Sequence, residues 1–260
     1  MSAISLKPFT FIAATAVLLG ACENASGHSE LSVQEPRALQ MEYEAGQVIT
    51  LSATINREGD DAASARQQYF QQVLPIAGPL GLSRDGSLAI RNTVTGAFEP
   101  EVYSFFSWPS AAAEGELNSH ESWSGIKTLR PVAWDELRLY SVELEEDVSL
   151  TFREDRAYSI AVAWTNPEQP NSYFQYLDTI EAELTDMGAR YLYKMRNPRF
   201  EQHATPGGDP AQVTFVEWQS PEDLDRFLRS PAYRSASHLL ENGVTRFEVQ
   251  LVAPVFPAQG

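Results

Sequence analysis

A single cysteine in 260 residues rules out an internal disulfide and any cysteine-rich metal cluster. Cations are scarce too, with 19 Lys and Arg against 35 Asp and Glu, a formal net charge of −16. No basic run interrupts that balance, so a phosphate backbone would be repelled and no nucleic-acid partner is expected. The four histidines form no His-x-x-His or His-Glu-x-x-His pair, and none combines with the single cysteine in a metal-ligand pattern. No metal site is expected. A Gly-x-Ser-x-Gly elbow, a phosphate loop and a dinucleotide fingerprint are all missing. No apolar run reaches the roughly 20 residues of a membrane-spanning helix. What the chain does have is 43% hydrophobic and 11% aromatic residues, enough for one large domain or two small ones.

The N-terminus reads as an address. Lys7 precedes an apolar stretch from Phe9 to Leu19, which ends in Leu19-Gly20-Ala21-Cys22. This resembles the lipobox of bacterial lipoproteins, in which the cysteine thiol is acylated and the leader removed. The resemblance implies a signal peptide over 1–21 and a membrane partner reached through lipid on Cys22. Glu23 follows the cysteine rather than the Asp associated with inner-membrane retention, which implies a bacterial cell-envelope protein on the outer membrane, facing the periplasm. An ordinary secretory leader followed by a chance cysteine is the alternative. From Glu23 to about Gln40 the chain is polar, has no sustained period and contains a Pro, and a flexible tether is predicted over 22–44.

The body repeats itself. With an offset of 110, Trp108 meets Trp218, Leu117 meets Phe227, Trp123 meets Tyr233 and Leu129 meets Leu239. With an offset of 104, Tyr69-Phe70-Gln71 meets Tyr173-Phe174-Gln175; near the ends, Leu139 to Leu144 aligns with Arg246 to Leu251. Each half reads as strand, helix, two strands, helical region and strand. Ile49, Leu51, Ala53 and Ile55 alternate as a strand, as do Tyr158, Ile160, Val162 and Trp164. Helices are predicted over 61–77 and 171–187, and after Ser220, where Pro221 and Glu222-Asp223 suit a helix start. The fold class is therefore α+β, with two tandem β-α-β-β-α-β ferredoxin-like units at 45–150 and 151–260.

Residues Gly188 to Leu251 carry a sharper resemblance. The strand ending in Val216-Glu217-Trp218, followed by Ser230-Pro231-Ala232-Tyr233, is similar to the dimeric α/β-barrel superfamily, which contains antibiotic-biosynthesis-type monooxygenases. The resemblance implies two sheets packed face to face as a barrel with helices outside. Here one chain would supply both halves, so the body is expected to be a monomeric pseudo-dimer. Haem-degrading members use an axial His and a Trp, but those positions fall on Ser237 and Phe227, with His238 one residue away. No cofactor is expected.

Strand aromatics leave two readings open: a packed core, or a flat pocket for a small apolar or aromatic ligand. The pocket candidates are Trp164, Phe174, Leu177, Trp218 and Tyr233, with the Trp164 face expected to meet the helices. Glu143, Glu145, Glu248 and Gln250, with Lys194 and Arg196, are expected along the seam between the sheets. Catalytic residues cannot be assigned. Three functions fit: a lipid-anchored ligand-binding or accessory module, a cofactor-independent monooxygenase or isomerase-like enzyme acting on an aromatic substrate, or an interaction protein using its acidic surface. His120 and His238 are expected on helices and His203 in an exposed loop.

The lipobox reading predicts that Cys22→Ser abolishes acylation and releases the protein from membranes. Fractionation after a salt wash checks it, and a mutant still held on membranes refutes it.

Overall fold

The computed structural model describes residues 35–203 and 208–256. Cys22 and the residues expected to form a leader, 1–21, lie outside the described residues. The described chain opens with β1 (Ala38–Tyr43) and a first half made of β2 (Val48–Asn56), α1 (Asp60–Ala77), β3 (Ser83–Thr95), β4 (Val102–Trp108), three short helices and β5 (Trp134–Glu143). The short helices are α2 (Ala111–Ser119), α3 (Trp123–Lys127) and α4 (Arg130–Ala133). After β6 (Val148–Arg153), the second half runs β7 (Ala157–Thr165), α5 (Ser172–Asp186), β8 (Arg190–Arg196), β9 (Arg199–Gln202), β10 (Gln212–Trp218), α6 (Pro221–Leu228), α7 (Pro231–Gly243) and β11 (Val244–Pro254).

Local chemistry accounts for the helices. α1 starts with Asp60 and Asp61, which suit the positive end of the helix dipole, and buries Ala62, Ala65, Tyr69, Val73 and Ala77 along one face. At α6, Ser220 and Asp223 form a reciprocal capping box with Pro221 in the first turn. Gly243 ends α7 where it crosses α5. A Cβ there would lie 2.3 Å from the Tyr173 backbone nitrogen, so only glycine fits the crossing.

Nine strands form one sheet in the order β8-β10-β7-β11-β3-β4-β2-β5-β9. Within each half the order is second, third, first, fourth, as a ferredoxin-like unit requires. The halves join where β11 pairs antiparallel with β3, Leu251 opposite Asn92. They join again where β5 pairs with β9, Tyr140 opposite Phe200. β9 follows β8 after a bend at Asn197, which has φ 44, and Pro198. One end of the sheet thus runs on into the other, and the barrel closes within one chain.

Strand alternation sorts the side chains. Ile49, Leu51, Tyr103, Phe105, Tyr140, Tyr158, Ile160 and Phe215 share the barrel's interior cluster. Val48, Trp108 and Leu137 face the first helical layer, and Val216, Trp218 and Leu251 face the second. Ile49 opposes Val142, and Tyr158 opposes Val252, so Val142 corresponds to Val252. The sequence alignment of this last strand pair is therefore three residues out of register. A slip of an odd number turns inward positions outward, which is why the sheet does not tolerate it.

The predicted tether ends earlier than expected. β1 pairs antiparallel with β6, and Met41, Tyr43, Leu150 and Phe152 join the barrel core, with Phe152 6.0 Å from Phe105 between ring centroids. The intervening Gln40 and Glu42 are exposed, so Leu39 to Tyr43 alternate as a half-buried strand that the tether reading passes over.

One polar cluster sits inside the barrel. Arg138 Nη1 lies 2.7 Å from Glu248 Oε2, and both side chains are 3% exposed. Arg246 donates to Glu248 Oε1 from Nε and Nη2 at 2.9 and 2.7 Å, and Arg138 also pairs with Glu136. Gln250 accepts from the Tyr103 hydroxyl at 2.9 Å. Glu248 and Gln250 thus do sit at the seam, while Glu143 is exposed. Removing one member of a buried ion pair strands the other. Glu248→Ala is expected to lose about 3–5 kcal/mol of stability, measured by urea unfolding.

Candidate functional site

The five pocket candidates do not converge on one space. Trp164 lies inside the barrel. Its indole N–H donates to the Gly208 carbonyl at 2.7 Å, Phe200 meets its ring at 5.9 Å, and the Arg246 guanidinium lies 4.3 Å from its centroid. The large residues of β7 fill the barrel, while Ala157, Ala161 and Ala163 face the helices, the reverse of the expectation. Small residues belong on the helix side because α5 and α7 approach the sheet there. Phe174 is 44% exposed. Leu177, Trp218 and Tyr233 do meet, around a cavity of about 70 Å³ under α5. Aromatic rings crowd it: Phe227 stands 5.7 Å from Trp218 and 5.4 Å from Tyr233, and Tyr176 stands 6.3 Å from Tyr233. The Trp218 indole is satisfied by Ser159 Oγ at 2.9 Å.

The larger space lies at the corresponding place in the first half. A cavity of about 240 Å³ separates α1 and the short helices from the outer face of the sheet. Its floor carries Thr50, Ser52 and Thr54, the small residues that alternate with Ile49, Leu51 and Ala53 along β2. Thr50 Oγ1 and Ser141 Oγ share a hydrogen bond at 2.8 Å. The walls are mainly apolar, with Val73 and Leu74 from α1, Leu117 from α2 and Trp134 and Leu139 from β5.

Polar groups gather at one side. The Arg130 side chain is 4% exposed and donates to the Tyr69 hydroxyl from Nε and Nη2 at 3.2 and 3.1 Å. Its Nη1 lies 2.8 Å from Glu201 Oε1, which Lys127 Nζ also approaches at 3.3 Å. Glu201 comes from β9, so the second half completes this wall. Arg199, also from β9, pairs with Glu114. Burial pushes the Tyr69 phenol above its ordinary value, with Arg130 pulling against it. Burial works to raise the Glu201 carboxyl, but Arg130 and Lys127 outweigh it and hold the group below the usual range. Trp123 is 5% exposed, and its indole N–H is buried without an acceptor. A buried donor left unpaired costs on the order of 1–3 kcal/mol.

The sequence candidates Leu177, Trp218 and Tyr233 lie around the smaller, second-half cavity, whereas the larger cavity lies in the first half. The repeat itself carried the missing signal, since Tyr69 and Trp123 align with Tyr173 and Tyr233. Nothing local marked Arg130 or Glu201, because the strand crossing at Asn197 brings them together.

Haem does not fit the helical region that would hold it. The position that the resemblance implies for the axial ligand falls on Ser237, and His238 is exposed on α7 with Nδ1 2.9 Å from the Ser235 carbonyl. Among the described residues no group of three or more His, Cys, Asp and Glu could hold a metal. His203 is not in a free loop: Nδ1 accepts the Leu137 N–H at 3.1 Å and Nε2 lies 3.2 Å from the Trp134 carbonyl. His120 caps α2. No helix among the described residues is long and apolar enough to cross a membrane.

Residues 156–254, which span β7 to β11, match the family described as a domain of unknown function (DUF1330). No curated protein matches the chain. Among solved structures, the chain is similar to an anthrone oxidase-like protein, with a TM-score of 0.53 and 13% identity over 84% of this chain and 94% of that one. The fold is the dimeric α/β barrel. A mutant chlorite dismutase from Candidatus Nitrospira defluvii aligns at a TM-score of 0.42 and 12% identity, over 82% of this chain and 93% of that one.

With its ring packed and its N–H satisfied, Trp164 is a core residue. Trp164→Ala is expected to cost about 3–5 kcal/mol in urea unfolding, with no dependence on added ligand.

Proposed function

We propose that this is a lipid-anchored protein of the bacterial cell envelope whose barrel binds a small, largely apolar molecule in the first-half cavity. The observation that carries the reading is the inequality of the two halves. The repeat offers the same space twice, yet aromatic rings crowd one copy down to about 70 Å³ and the other is open at about 240 Å³. Packed interiors leave few voids larger than a water molecule, so an apolar space of this size under a helical layer suits a ligand. The anchor rests on Leu19-Gly20-Ala21-Cys22, and residues 23–37 separate Cys22 from the start of β1.

A second reading keeps the same cavity and adds chemistry. An aromatic substrate held on the β2 floor beside Tyr69 and Arg130 would be oriented and removed from water, which is what cofactor-independent oxygenation asks of a protein. The anthrone oxidase-like relative favours this reading over the isomerase-like one.

Titration with 2-naphthol, followed through tryptophan fluorescence, tests binding. Saturable quenching is expected in the wild type. Ser52→Phe, which fills the cavity, is expected to abolish it while the protein still unfolds cooperatively. Quenching that survives Ser52→Phe places the ligand elsewhere and refutes the reading. Oxygen consumption on phenols and quinols separates the oxygenase from the binding module.

A further inference from the structure

The polar side of the first-half cavity is more specific than a greasy pocket needs. The Arg130 guanidinium lies over both aromatic neighbours, 5.1 Å from the Trp123 ring centroid and 5.6 Å from that of Tyr69. Lys127 Nζ stands 5.7 Å from the same indole. These two cations share one oxygen of one carboxylate, Glu201. The cluster therefore retains a net charge of +1 in a chain whose formal net charge is −16. Glu114 does not compensate it, being paired with Arg199.

Donors outnumber acceptors there as well. The Trp123 N–H has no acceptor. The Tyr69 oxygen receives two N–H bonds from Arg130, which leaves its own proton to be given away. A guanidinium has five N–H donors, and Arg130 uses three of them on Tyr69 and Glu201. A neutral apolar ligand would satisfy none of these groups. A dianion would overshoot the charge.

We infer that the ligand of this cavity is an aromatic or similarly flat apolar carboxylic acid, bound as its carboxylate against Trp123, Tyr69 and Arg130. The inference rests on the cavity being the binding site proposed above. The apolar body lies over Thr50 and Ser52 of the β2 floor, and the two carboxylate oxygens take the spare donors. Hydrogen bonds to a charged group are worth more than those to a neutral one, so the acid should exceed its isosteric amide about tenfold in affinity.

Calorimetric titration of the full-length protein with 2-naphthoate, naphthalene-2-carboxamide and 2-naphthol tests this. Wild type is expected to bind 2-naphthoate about tenfold more tightly than the carboxamide. Trp123→Phe and Tyr69→Phe each keep an aromatic ring and remove a donor, and each is expected to weaken 2-naphthoate several-fold more than the carboxamide, shrinking that preference. Equal affinity for acid and amide in the wild type overturns the inference, as does a preference that both variants leave intact. If 2-naphthol or the carboxamide binds and the acid does not, the carboxylate assignment falls and the binding site stands. If no probe binds, both fall.

Discussion

The strand crossings hold this molecule together. In each half the second strand of the ferredoxin-like unit leaves its own sheet and ends on the other: β3 reaches β11, and β8 runs on as β9 to β5. Without them each half would expose a whole sheet face, and Ile49, Phe105, Ile160 and Phe215 would lose their shared interior. The crossings also carry residues outward. β9 brings Glu201 to Arg130 in the first half, and β3 brings Val94 and Thr95 to the smaller cavity of the second. Each cavity is therefore finished by the opposite half.

Equal folds have been packed unequally. In the second half α6 and α7 press Phe227 and Tyr233 against Tyr176 and Trp218. In the first, the corresponding helical layer is broken into α2, α3 and α4, and Leu117 stands where Phe227 does. The smaller side chain and the interrupted helix leave the space open. Trp123, whose buried indole N–H has no acceptor, is among the residues lining that space.

Much of the architecture is legible in the sequence because it rests on period and punctuation. Strict alternation in β7 and β2 and the Ser220 cap need no tertiary knowledge. Which face of β7 turns inward does. Alternation shows that Trp164 and Ile160 share a face, yet only barrel closure decides that this face is the interior. β1 escapes notice for a related reason, since its burial depends on β6, more than a hundred residues away. Aromatics around a space between sheet and helices are legible in the sequence, and the larger size of the first-half cavity is not. Arg130 is joined to Glu201 by a bend at Asn197 that no local pattern announces.

The ion pair inside the barrel joins equivalent positions of the two halves. The register that matches Val142 with Val252 also matches Arg138 with Glu248 and Glu136 with Arg246. Arg138 and Glu248 thus occupy the same position in the two halves, and they bind each other at 2.7 Å. Two identical chains about a true two-fold axis would set arginine against arginine here, or glutamate against glutamate. Only halves encoded separately can place opposite charges on symmetry-related sites. This contact also distinguishes the first half from the second, so that two copies of either one could not reproduce it.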